Sequence, residues 1–249
     1  MKYGLCNLSI VPVRLEADDT SEMVTQVLYG EHFKVIEERK KWSRIRIAHD
    51  HYEGWIDKKQ YIEISSEVYH SLDTEPSQLT SDVMEFVVNE NSQLIPITLG
   101  STLNALSYLN HTHDGNTQSG QKEKEQLIYT AMLYLNSPYL WGGKTPFGID
   151  CSGFTQMVYR LNGYNLPRDA KDQATIGESL SFIEESEPGD LAFFDNNEGI
   201  ITHVGIIMKD NYIIHAHGKV RIDRLDHSGI FNIDQNRHSH KLRVIRRVV

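Results

Sequence analysis

A glycine-rich loop that turns at once into a helical pattern headed by cysteine constrains this chain more than any other feature. Residues 139 to 154 read Tyr-Leu-Trp-Gly-Gly-Lys-Thr-Pro-Phe-Gly-Ile-Asp-Cys-Ser-Gly-Phe. Phe154, Met157, Val158 and Leu161 then follow at the 3.6-residue period of an amphipathic helix, and Gly163 stands where a left-handed stop is needed. Cys151 therefore lies in a first turn, with Asp150 placed as its N-cap. Unpaired N–H groups and the positive dipole end there favour an anionic sulfur, and the thiolate is the form that attacks carbonyls.

A thiolate nucleophile needs a base. The run Ile-Thr-His-Val-Gly-Ile-Ile-Met carries His203, and after the turn signal Lys209-Asp210-Asn211 the run Tyr-Ile-Ile-His-Ala-His-Gly carries His215. A hairpin centred on that turn sets the two histidines nearly opposite on one face, so that one imidazole orients the other. Cys151, His203 and His215 then supply the nucleophile, base and orienting group of covalent acyl transfer. His217 shares the face of His215, and position alone leaves it as a rival.

From these blocks the last half of the chain resembles the NlpC family of papain-like cysteine peptidases, which cleave bacterial cell-wall peptides. The shared segments are Asp150-Cys151-Ser152-Gly153-Phe154, Leu166-Pro167-Arg168-Asp169-Ala170 with Gln173, Pro188-Gly189-Asp190-Leu191, His203-Val204-Gly205-Ile206 and Ile214-His215-Ala216. Family spacing selects His215 over His217 as the third residue. The resemblance implies an α+β fold, a cysteine helix packed on an antiparallel sheet. It is strongest to the murein-peptide γ-D-glutamyl-L-diamino acid endopeptidases, which hydrolyse the bond to diaminopimelate or lysine in peptides that begin with a free L-alanine. In that group an Arg-Asp pair and a glutamate from a preceding barrel receive the substrate's ammonium. The resemblance places those roles on Arg168-Asp169 and on Glu31, with Tyr52 closing the pocket. It sets Tyr139, Asp150 and Ser152 around the D-glutamyl group and scissile carbonyl, where Tyr139 and the Cys151 N–H meet the oxyanion. The group often has serine after the pair, where this chain has Ala170.

The first sixty-odd residues break into short runs at regular intervals: Ser9 to Val13, Met23 to Tyr29, His32 to Glu38, Trp42 to Ile47 and Gly54 to Ile56. They resemble a bacterial Src-homology-3-like barrel. The expected organisation is this barrel over 1–65, a second, degenerate barrel-like segment and linker over 66–118, and the peptidase domain over 119–249. In the last of these a helix is expected over Glu123 to Asn136. Strands follow near Leu191 to Phe194, Thr202 to Met208, Tyr212 to Ala216 and Leu242 to Val248.

Lys and Arg number 25 against 34 Asp and Glu, a net charge of −9, so nucleic-acid binding has no electrostatic footprint. Two cysteines give no disulfide framework, and Cys6 sits in an apolar run that reads as core. The pairs His111/His113, His215/His217 and His238/His240 lack companion ligands at fixed spacing, so neither a metal nor another cofactor is expected. No apolar stretch has the length of a membrane span or a leader. The expected location is cytoplasmic, or periplasmic for a chain whose leader was trimmed, and the expected partner of a monomer is a murein stem peptide such as L-Ala-γ-D-Glu-diaminopimelate. Two other readings compete: a Cys-His acyltransferase or amidase, and a non-enzymatic wall-binding module.

Overall fold

The computed structural model describes residues 1–249. Two compact units partition the chain: Met1–Gly120 with Trp141–Thr145, and Gln121–Leu140 with Pro146–Val249.

In the N-terminal unit seven antiparallel strands follow the spatial order Met23–Leu28, Ile10–Arg14, Glu53–Asp57, Trp42–Ile47, His32–Glu38, Lys2–Leu5 and Ile62–Ile64. The alternation of Trp42–Ile47 shows why the sheet has one dry side. Ser43, Ile45 and Ile47 are buried, whereas Arg44 and Arg46 point outward onto Glu53 of the neighbouring strand. Cys6, Val11, Val13, Val27, Phe33, Ile45, Ile47 and Ile56 fill the core, and burial pushes the Cys6 thiol up to about 12. Gly30 makes the turn between two strands at φ +76°, where a Cβ would stand 1.8 Å from the Thr102 carbonyl oxygen.

Residues 66–118 depart from the expected second barrel. They form a helix, Ser66–Thr74, capped by Ser65, and two separate two-stranded ribbons, Met84–Val88 with Leu94–Thr98 and Leu79–Thr80 with Thr117–Gln118. The apolar runs at 83–88 and 94–97 do become strands, but beyond their mutual pairing they gain only a single bridge, Val88 to Thr112. One face, with Met84, Phe86 and Leu94, is exposed, and the other packs Val87 and Ile97 on Tyr29, in the turn after Met23–Leu28. A ribbon that borrows its core from a neighbour has no cavity of its own to close around.

The C-terminal unit is α+β, as the order of patterns suggests. Its first helix is shorter than expected, Gln126–Met132, with Leu127 and Ala131 buried. The cysteine helix, Cys151–Leu161, is buried on every side, not only on the apolar stripe seen in the sequence. It packs on the strands Ile201–Met208 and Tyr212–His217. The sheet runs Glu178–Leu180, Arg237–Arg247, Leu191–Asp195, Ile201–Met208, Tyr212–His217, Lys219–Asp226, Gly229–Asn232. Because Arg237–Arg247 also pairs with Gly229–Asn232, six of these strands close into a barrel. Ala192, Phe194, Ile207, Ile213, Leu225, Ile230 and Ile245 form an apolar cluster there. His203, His215 and Asp223 share strand faces with Ile207, Ile213 and Leu225 respectively, so they lie on the same side of the sheet as that apolar layer.

Candidate active site

The Asp150 carboxylate accepts the Gly153 N–H at 2.7 Å and caps the cysteine helix. The Arg168 guanidinium clamps that same carboxylate through two bonds, Nη1 to Oδ1 at 3.0 Å and Nη2 to Oδ2 at 2.6 Å, and Nη1 also reaches Ser152 Oγ at 2.9 Å. Arg168 thus fixes the start of the helix, and of the Arg168-Asp169 pair only Asp169 has the charge to receive a cation. Asp169 occupies the N-cap position of the short helix Ala170–Gln173 without capping it through its side chain, and its carboxylate lies 3.9 Å from Lys171 Nζ. Gln173 ties the next turn down. Its Nε2 donates to Ser152 O at 3.0 Å and Pro167 O at 2.8 Å, and its Oε1 accepts from Thr155 Oγ1 at 2.7 Å. The Pro-Gly-Asp-Leu block is a joint of the same kind: buried Asp190 accepts from Lys124 at 2.7 Å and Arg247 at 3.2 Å.

Cys151 Sγ lies 4.0 Å from the Thr202 carbonyl oxygen, and the Val204 N–H also bonds to it, so the sulfur abuts the strand that carries His203. His203 Nε2 lies 2.8 Å from His215 Nδ1, and His215 Nε2 lies 3.1 Å from Asp223 Oδ2. The hairpin register differs from the expected one by two residues. His215 pairs with Gly205, not His203, because the turn holds Asp210 and Asn211 in left-handed conformations and shifts the centre by one. The two histidines keep the same face and meet diagonally. His217 is exposed, with its ring 6.4 Å from that of His203, whereas His240 stacks on His203 at 4.1 Å. A cavity of about 250 Å³ opens here, lined by Tyr139, Thr202, His203, His217, Gly218 and His240 among others.

The helix start favours a thiolate, but the surroundings of the sulfur oppose one. Burial, then the Asp150 carboxylate, pushes the Cys151 thiol up to about 12, against the smaller opposing effects of the Val204 N–H and Arg168. Burial and the neighbouring imidazoles hold His203 well below its usual value. Burial also raises Tyr139, so its phenol remains a neutral donor. Both shifts favour the uncharged forms, thiol and imidazole.

Burial lowers His215 as well, against the opposing pull of Asp223, and lowers His240 to about 4. Unfolded histidines take protons near pH 6.5, before these folded ones do, so the stability they confer is complete above that value and is lost as pH falls. The thermal midpoint is therefore expected to drop between pH 7 and pH 5. A His240→Phe variant, scanned over the same series, should show a shallower fall, and an equally steep fall would remove His240 from the cause.

Residues 136–235 match the NlpC/P60 family, and residues 13–60 match the bacterial dipeptidyl-peptidase Sh3 domain. The chain carries an NlpC/P60 peptidase domain. Over 240 residues it is 29% identical to the gamma-D-glutamyl-L-lysine dipeptidyl-peptidase of Bacillus subtilis, covering 86% of this chain and 75% of that one. It is 27% identical to dipeptidyl-peptidase 6 of Lysinibacillus sphaericus, over 85% of this chain and 87% of that one. The crystal structure of an NlpC/P60 family protein from Bacillus cereus shares its fold, with a TM-score of 0.82 over 99% of both chains at 19% identity.

Glu31 and Tyr52 belong to the N-terminal unit, outside the residues that match NlpC/P60. Glu31 is buried and not the exposed turn residue that its position suggests. It accepts from the Leu28 N–H at 2.8 Å and faces Lys144 Nζ at 3.3 Å and His49 Nδ1 at 3.7 Å. The carboxylate expected to receive an ammonium already faces one from its own chain. Tyr52 is partly buried against the core of the first sheet. The sequence reading missed Asp223, His240 and Lys144. A charged residue at an inward strand position was the only available signal for Asp223, and reading it requires the strand register.

Proposed function

We propose that this peptidase hydrolyses the γ-D-glutamyl bond to a diamino acid, diaminopimelate or lysine, in murein stem peptides that begin with free L-alanine, and acts in peptidoglycan turnover and recycling. The observation that carries the reading is Cys151 packed against the strand of His203, with His203 Nε2 2.8 Å from His215 Nδ1, in an NlpC/P60 domain. The substrate class is supported by the relatives named for γ-D-glutamyl-L-lysine cleavage.

From these uncharged forms, His203 Nδ1 takes the thiol proton as Sγ bonds to the γ-glutamyl carbonyl carbon. The Cys151 N–H in the first helical turn and the Tyr139 hydroxyl donate to the oxyanion. When the tetrahedral intermediate collapses, the C–N bond breaks and the imidazolium gives its proton to the departing amine. Water then attacks the thioester with His203 as base, which releases L-Ala-γ-D-Glu and restores the thiol. Asp169 supplies a carboxylate for the substrate's ammonium, and Asp150 and Ser152 flank the nucleophile on the D-glutamyl side.

Mass spectrometry of L-Ala-γ-D-Glu-diaminopimelate and L-Ala-γ-D-Glu-L-Lys, each with a free and an N-acetylated terminus, tests this. Both free peptides should be cut after D-glutamate and the capped ones at least about tenfold more slowly, the scale of one lost charge-assisted contact. Equal cleavage of capped peptides would discard the ammonium requirement, and intact free peptides would discard the substrate.

A further inference from the structure

Asp223 is fully buried, and four donors surround its carboxylate. His215 Nε2 at 3.1 Å and Arg221 Nε at 2.6 Å approach Oδ2, while Arg221 Nη2 at 2.9 Å and the Ile233 N–H at 3.1 Å approach Oδ1. Burial alone would raise this carboxyl, but the bonds from His215, Arg221 and Ile233 outweigh it and hold the group well below the usual carboxylate range. An ionised carboxylate has only acceptors to offer, so His215 must present Nε2–H to it. The Nδ1 of His215 is then a bare acceptor, and the nitrogen 2.8 Å away, His203 Nε2, must carry a proton. That leaves His203 Nδ1 unprotonated. One charge three groups from the sulfur thus determines which nitrogen of the proposed base is free.

We propose that Asp223, held by Arg221, is a positioning residue of this peptidase: it sets the tautomers of His215 and His203 and supplies the buried negative charge against which the reaction's imidazolium forms. The proposal rests on the Cys–His reading above. The other titratable or charged groups around the line are His217 and His240, with rings 6.2 and 5.8 Å from that of His215, and Asp234, which pairs with Arg221 at 2.8 Å. None of them bonds to His215, so none can replace Asp223. In an Asp223→Asn variant one oxygen position becomes an amide donor. It then opposes either Arg221 Nε and His215, which reverses the histidine tautomer, or Arg221 Nη2 and the Ile233 N–H, which leaves His215 facing a neutral acceptor.

Two measurements test this without a peptide substrate. In nitrogen-15 spectra of the wild type, both His215 and His203 should be Nε2–H tautomers at pH 7.5. A His215 protonated at Nδ1 would overturn the proposal. The second is iodoacetamide alkylation of Cys151 against pH, read by peptide mapping so that Cys6 does not contribute. In Asp223→Asn the alkylation rate at pH 7 should fall about tenfold, because the imidazolium that accepts the thiol proton loses its counter-charge, whereas Arg221→Lys, which keeps the charge, should lower it less. A folded Asp223→Asn with a profile within about twofold of wild type would make Asp223 a structural anchor of the loop at Ile233 and nothing more. If the wild type shows the expected tautomers and profile but cuts no γ-D-glutamyl peptide, the substrate reading fails and the role of Asp223 stands.

Discussion

A Cys151→Ala chain is expected to lose turnover of γ-D-glutamyl peptides by about 10⁵-fold or more, because the covalent route ends with the sulfur, and nucleophile removal in a triad costs on this order. Folding should be nearly unaffected. The side chain is buried beside Thr202, where alanine loses one atom's contacts, and burial favours the neutral thiol, so no buried charge is left behind. The informative comparison is kcat against thermal midpoint in the same preparation. A collapse in kcat with the midpoint within a few degrees is the expected pair. Substantial remaining turnover would mean that another group, such as a water activated by His203, performs the attack.

The second large effect is on stability. Arg168→Met should cost about 3–5 kcal/mol, the range for removing one partner of a buried ion pair, because the side chains of Arg168 and Asp150 are only 1% and 7% exposed. Three hydrogen bonds leave with the guanidinium, two to Asp150 and one to Ser152 Oγ. Asp150 still accepts the Gly153 N–H, so a buried carboxylate loses its guanidinium without losing its place in the helix cap. Urea denaturation of Arg168→Met beside Arg168→Met/Asp150→Asn separates the terms. Asparagine retains the capping oxygen and carries no charge, so the double variant should recover part of the loss. A single variant within about 1 kcal/mol of wild type would show that the helix start is held by packing.

The local signals were legible where they fixed both a conformation and a partner type. Asp150-Cys151-Ser152-Gly153 has a capping residue, a small-residue first turn and an apolar run, and the helix begins at Cys151 as expected. The five strands expected in the first sixty-odd residues fall within a residue or two of their limits, since alternation is a local property, while Lys2–Leu5 and Ile62–Ile64 were not anticipated. Long-range register was not legible. Pairing His215 with Gly205 instead of His203 required knowing that Asp210 and Asn211 adopt left-handed conformations, and the error of two residues was harmless only because it preserved the face. The strand Lys219–Asp226 was not anticipated, and Asp223 reaches His215 only through its pairing with Tyr212–His217. Residues 66–118 failed for another reason. Their alternation correctly gave strands, but a pattern of period two does not say how many neighbours a strand will find.

The surroundings of Cys151 also matter between turnovers. The oxidation of cysteine to sulfenic acid and its irreversible successors starts from the thiolate and follows exposure. Cys151 is only 6% exposed and burial pushes its thiol up, so both conditions for attack by peroxide are unfavourable. The packing that holds Cys151 at the helix start thus also shelters it from adventitious oxidants between turnovers.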